Sequence, residues 1–178
     1  MHPRRDSLWR HLWLGIVVLA LLAFIEGSGL IRLGRSGIRP DLVLSAVITW
    51  SFLTNSTNGA LWGFIGGLML DGISAGPFPL HAVALTLVGG LIGTGRLSYY
   101  ADEQAWAVIA GVAGIAVFYS VTLLILWLTG WGLPLLQALR VLVLPSLVVD
   151  AIGVLIMLPV LRAVNRRLFS ARGKASFA

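Results

Sequence analysis

Long apolar runs restrict the fold of this chain more than any single motif. Six segments lie near the ~20 residues that cross a bilayer core: about 8–31, 41–54, 58–74, 80–97, 105–129 and 135–160. The cuts fall at Gly34, Gly37 and Pro40, at the Asn55–Gly59 turn, and at Gly76, Pro77 and Pro79. Further cuts fall at Asp102 and Glu103, and at Gly130, Gly132 and Pro134. Lipid offers no water to backbone N–H and C=O groups, so each segment must satisfy its own as a helix. The expected fold is an all-α integral membrane protein, a six-transmembrane-helix bundle in one membrane domain. A basic cytoplasmic tail over 161–178 completes it. Pro145, inside the sixth segment, is expected to kink it.

Composition agrees. Of 178 residues, 58% are hydrophobic and 11% charged, where a soluble domain carries about 25% charged residues. The net charge of +6 comes from basic residues concentrated at the ends. That suits an anionic membrane surface rather than nucleic acid, which needs a contiguous basic face. Without cysteine, disulfides, thiolate zinc sites and thiol catalysis are excluded.

Six spans put both termini on one side. With both cytoplasmic, the inside holds Arg4, Arg5, Arg10, Arg96, Arg162, Arg166, Arg167, Arg172 and Lys174. The outside then holds Arg32, Arg35, Arg39 and Arg140, a balance of nine to four that favours this orientation. The first span resembles a signal peptide but lacks a small-residue cleavage site, so it is expected to be retained. Trp9, Trp13 and Trp106 would mark the inner interface, and Trp127 and Trp131 the outer one.

The third span carries Gly59, Gly63 and Gly67 at four-residue steps, and Asp71 follows at the next step. Each step drifts only ~40° around a helix, so all four share one slanted stripe. Such a stripe admits another backbone at close range, either within the bundle or from a partner. A carboxylate there is costly in lipid unless paired. At ~1.5 Å per residue, Asp71 lies in the outer half of the membrane and Glu26 near the outer surface. Glu26, Arg39, Asp41, Asp71 and Arg140 are therefore expected in one outer polar cluster, with Asp71 paired to Arg39 or Arg140. Asp150, another intramembrane acid, is ~15 Å further along its span than Arg140. It is expected in the inner half, with Arg96 as its nearest basic partner.

Nothing visible supports catalysis. His11 and His81 have no carboxylate or second histidine at ligand spacing, so no metal site is expected. Ser28, Ser45 and Ser51 lack a base at helical spacing. No phosphate-binding or dinucleotide loop occurs, and no cofactor is expected. Asn55-Ser56-Thr57 fits a glycosylation sequon by chance, in a short inner turn.

Arg39-Pro40-Asp41-Leu42 opens the second span. After a short polar turn comes Gly63-Phe64-Ile65-Gly66-Gly67-Leu68-Met69-Leu70-Asp71, then Gly76. In order and spacing these residues resemble the bacterial rod shape-determining MreD family. The resemblance runs from about 38 to 167 and is strongest from 39 to 95. It implies a fold similar to energy-coupling-factor transporter S-components. It also implies a non-enzymatic membrane scaffold of the cell-elongation machinery, supporting peptidoglycan synthesis and cell shape in the bacterial inner membrane. The implied partner is MreC. Through it come a SEDS glycosyltransferase and a class B penicillin-binding transpeptidase, alongside MreB. Arg39, Pro40, Asp41, Gly63, Gly67 and Asp71 correspond to recurrent family positions, and the family supplies no catalytic residues. The alternative function is a vitamin-type transporter substrate-binding subunit; another is a binder of lipid-linked precursor through Arg32, Arg35 and Arg39. A homo-oligomer stays open.

Overall fold

A computed structural model describes residues 3–30, 40–74, 76–94, 103–130 and 143–169. Among them are six helices and no strand. They are α1 (Pro3–Gly27), α2 (Leu42–Leu53), α3 (Ser56–Ile73), α4 (Leu80–Thr94), α5 (Glu103–Leu128) and α6 (Leu144–Phe169). The first five match the expected segments to within a few residues. The last continues to Phe169, past the expected end at 160. Pro145 falls in its first turn, where a missing N–H leaves no gap in the ladder. The proline inside this helix is Pro159.

The sequence of α2 explains its place. It is apolar all round, and every residue from Val43 to Ser51 is buried. A helix of that kind belongs in the interior. The other five pack around it, with α1, α3, α4, α5 and α6 neighbours in that order. Its hydroxyls do not disturb the interior. Thr49 donates to the Ser45 carbonyl at 2.7 Å, Ser51 to Val47 at 2.6 Å and Thr54 to Trp50 at 2.7 Å. Each hydroxyl is satisfied by a carbonyl one turn back. Only Thr54 and Asn55 separate α2 from α3, and Asn55 caps α3 by accepting the Asn58 N–H at 2.9 Å.

The surface is apolar too. Trp13, Val17, Leu21 and Phe24 of α1 are exposed, as are Leu124 and Trp127 of α5 and Val148, Ile152 and Ile156 of α6. Two helical stretches, Val108–Leu128 and Leu144–Arg166, are long and apolar enough to cross a membrane. Only 22% of each hydrophobic window is buried within the chain, so most of that apolar surface faces outward. Water would oppose this exposure and hydrocarbon would not.

The glycine stripe of α3 lies against α4. A Cβ at Gly63 would collide with the Leu85 carbonyl and come within 2.8 Å of Thr86 N. One at Gly67 would come within 2.5 Å of Ala82 N, and one at Gly59 would meet the Gly89 carbonyl. From the other side, Gly89 faces the Gly59 backbone and Gly93 the backbone of Ser56. The two helices thus touch backbone to backbone over most of their length. Gly66 points the opposite way, towards Val43 and Leu19. Deeper in, Trp50 of α2 stacks on Trp62 of α3, with centroids 4.4 Å apart and planes 12° from parallel. Gly15 of α1 leaves room for Trp62, since a Cβ there would stand 2.7 Å from Trp62 Cε2.

A candidate site of carboxylates that cap short helices

Two of the packed helices are short. At ~1.5 Å per residue, the 12 residues of α2 span about 18 Å and the 15 of α4 about 22 Å. A hydrocarbon core is ~30 Å thick. The first four N–H groups of any helix have no partner within it, and a short helix in a bundle presents them away from bulk water. The acidic residues meet this need.

At the start of α2, three carboxylates take all four N–H groups. Asp41 N donates to Asp150 Oδ1 at 2.8 Å. Leu42 N and Val43 N both donate to Glu26 Oε2, at 3.1 and 3.3 Å. Leu44 N donates to Asp41 Oδ1 at 2.7 Å. Glu26 comes from the end of α1, Asp41 from the N-cap of α2 and Asp150 from the second turn of α6. The positive end of the α2 dipole favours acidic side chains here. Asp150 is fully buried. Its second oxygen accepts the Tyr119 hydroxyl of α5 at 2.8 Å, and Ser45 donates to its backbone carbonyl at 3.4 Å. One aspartate therefore ties α2, α5 and α6 together.

Asp71 does the same for α4. Its Oδ1 accepts His81 N at 2.8 Å and its Oδ2 accepts Ala82 N at 2.9 Å. The His81 ring adds a third contact, Nδ1 to Oδ1 at 2.8 Å. The carboxylate at the end of the glycine stripe thus caps the helix that the stripe grips.

Beside Asp71 opens a cavity of about 210 Å³, lined by Glu26, Gly27, Leu70, Ile73, Ser74 and His81. It places the ends of α1 and α3 and the start of α4 around one space. Glu26 belongs both to this wall and to the α2 cap, so the two sites adjoin.

The structure brings Glu26, Asp41 and Asp150 together and sets Asp71 nearby. It revises the expected depth of Asp150 and adds partners to Asp71. Asp150 does not stand at the opposite depth from Glu26; it reaches the start of α2, at the same end of the bundle. Asp71 holds backbone N–H groups and His81. Arg39, Arg140 and Arg96, the expected basic partners, lie outside the described residues, as do Arg32, Arg35 and Trp131 and the side chains of Trp9 and Trp106. Gly59, Gly63 and Gly67 all face α4. Sequence reasoning missed His81, judged to lack a carboxylate, and Tyr119.

The described residues hold no group of three or more metal-binding side chains. No curated protein and no solved structure matches the chain. A family model described as rod shape-determining protein MreD matches residues 10–168, nearly the whole length. The chain belongs to the rod shape-determining protein MreD family.

Proposed function

We propose that this chain is a non-enzymatic, six-span scaffold of the cell-elongation complex, holding the bitopic protein MreC in the inner membrane and through it supporting peptidoglycan synthesis. The family match over residues 10–168 carries this reading. The physical form of the molecule supports it. Its polar residues are used as helix caps and its glycines as close-packing surface, which together make a rigid body with an apolar exterior. The small-residue face of α3 is occupied by α4, so a partner helix would dock on the outward apolar faces instead. Helix docking in lipid draws on close packing and on interhelical hydrogen bonds of roughly 0.6–2 kcal/mol each, so an extended contact is required. In this reading the S-component-like fold is kept for its shape, and both termini are cytoplasmic.

Co-purification tests it. The full chain, extracted in mild detergent from cells expressing MreC, should bring MreC with it in constant ratio. Recovery of the folded chain without MreC, in a preparation where MreC is present and soluble, would remove the reading.

A further inference from the structure

The two sides of the bundle differ in apolar height. On α5 and α6 the apolar stretches Val108–Leu128 and Leu144–Arg166 hold 21 and 23 residues, about 32 and 34 Å at ~1.5 Å per residue. Both exceed a hydrocarbon core of ~30 Å. The α3–α4 hairpin does not. The 15 residues of α4 rise about 22 Å. In α3, Ser56, Thr57 and Asn58 open the helix with polar side chains. The rest, residues 59–73, is apolar except for the buried Asp71 and also rises about 22 Å.

Leu61, Phe64, Leu68 and Ile73 of α3 are exposed on this hairpin, as are Val83, Leu87 and Leu91 of α4. The face has a polar edge at each end, with Asn55, Thr57 and Thr94 exposed at one and Ser74 at the other. Phe78 is exposed in the turn before α4. That turn is closed by Leu80 N donating to the Pro77 carbonyl at 3.0 Å, so Phe78 adds only ~4 Å at ~2 Å per residue. The face is therefore roughly 4–8 Å shorter than the hydrocarbon core.

A short apolar stretch is accommodated by thinning the bilayer, by snorkelling or by oligomerisation. Neither α3 nor α4 contains a Lys or Arg to snorkel. Tilting lowers the height further, so it suits only the longer α5 and α6. Helix docking in lipid draws on small residues that let backbones approach. Here Gly59, Gly63, Gly67, Gly89 and Gly93 are already used between α3 and α4. Bulky aliphatic and aromatic side chains are left outward, and these suit lipid chains.

We propose that the α3–α4 face is covered by lipid and thins the bilayer beside it, recruiting phospholipids with short acyl chains. The inference rests on the membrane-spanning reading of the chain. The protein then has a thin side and a thick side, which gives it a direction in the plane of the membrane.

The chain has no cysteine, so a fluorophore can be attached at Leu87→Cys on the hairpin or at Ile152→Cys on α6, both exposed positions. The full chain is placed in vesicles that mix dimyristoleoyl and dierucoyl phosphatidylcholine, with one lipid or the other brominated as a quencher. Quenching then reports which lipid touches each side. Short-chain lipid should be enriched roughly three- to tenfold over bulk at Leu87→Cys, because each ångström of mismatch carries a cost, and less than about twofold at Ile152→Cys. Thr57→Leu combined with Thr94→Leu raises the apolar edge by about one turn and should lower the enrichment at Leu87→Cys by roughly half or more. The near-ultraviolet signal of the Trp50–Trp62 stack shows that each variant is folded. Quenching at both sites without a chain-length preference overturns the proposal. So does an equal preference at both sites, or a preference that the two threonine substitutions leave unchanged. Quenching at Ile152→Cys alone assigns the hairpin face to a second copy of the chain and overturns it too. Absence of quenching at both sites removes the membrane-spanning reading, and the inference with it.

Discussion

The contact between α3 and α4 makes opposite predictions for two glycines nine residues apart on one helix. At Gly63, a Cβ would collide with the Leu85 carbonyl and approach Thr86 N to 2.8 Å. Both obstacles are backbone, so no side chain can swing aside and the helices must separate by a large fraction of an ångström. A gap of 0.5–1 Å already forfeits a quarter to a half of each dispersion contact, and overpacking costs about 1–3 kcal/mol. Alanine regains about 0.5–1 kcal/mol of helix propensity over glycine. Gly63→Ala should therefore destabilise the fold by roughly 0.5–2 kcal/mol. At Gly72 an added Cβ meets nothing within 4 Å. Gly72→Ala should keep only the propensity gain and leave the fold as stable or up to about 1 kcal/mol more so. The assay is equilibrium unfolding in mixed micelles. Far-ultraviolet dichroism follows the helices, and the near-ultraviolet signal of the stacked Trp50 and Trp62 follows the core. A Gly63→Ala protein as stable as Gly72→Ala would refute the backbone-to-backbone contact.

The other predictions concern the caps and the topology. Asp150→Leu removes the acceptor of both Asp41 N and the Tyr119 hydroxyl, and should cost about 2–4 kcal/mol in the same assay. Asp150→Asn, which keeps a carbonyl oxygen, should cost less, and Tyr119→Phe about 1 kcal/mol; equal losses for all three would contradict the shared hydrogen bonds. Asp71→Leu uncovers the first N–H groups of α4, so hydrogen exchange at His81 and Ala82 should accelerate ahead of Val88, which lies mid-helix and buried. Uniform acceleration would argue against a local cap. The absence of native cysteine permits single-cysteine mapping. Ser28→Cys and Thr129→Cys should label from the outer face, and Thr57→Cys and Arg166→Cys from the inner face. Labelling of Ser28→Cys and Thr57→Cys from one side would contradict the proposed six-span arrangement.

Much of the fold was legible because helix punctuation is local. Asp41 stands between Pro40 and an apolar run, which is how a capped helix start reads, and its side chain does cap α2. The glycine stripe was legible as a close-packing face from its spacing alone. The identity of the second helix was not, since α4 meets it with Gly89, Leu85 and Ala82, which carry no special signal. What charge reasoning leaves out has one cause. A charge in lipid points first to an opposite charge, so arginines are the expected partners of Asp71 and Asp150. Helix N-termini also hold these carboxylates, and their unpaired N–H groups appear in no charge count. Depth along a span also misled. Asp150 was placed by counting from Arg140, whereas it lies one turn beyond Pro145, near the start of α6 and level with Glu26. His81 was compared with neighbours on its own helix, and its carboxylate lies ten residues back, across the α3–α4 turn.

Membership in the MreD family makes rod shape the direct readout of what the chain is for. The decisive measurement is cell shape during depletion in a rod-shaped host, with complementation by the wild-type chain and by Gly63→Leu. The scaffold reading predicts that depleted cells round up, that the wild-type chain restores rods, and that Gly63→Leu fails because α3 and α4 cannot close. Cells that stay rod-shaped through full depletion, while losing uptake of a vitamin, would contradict it.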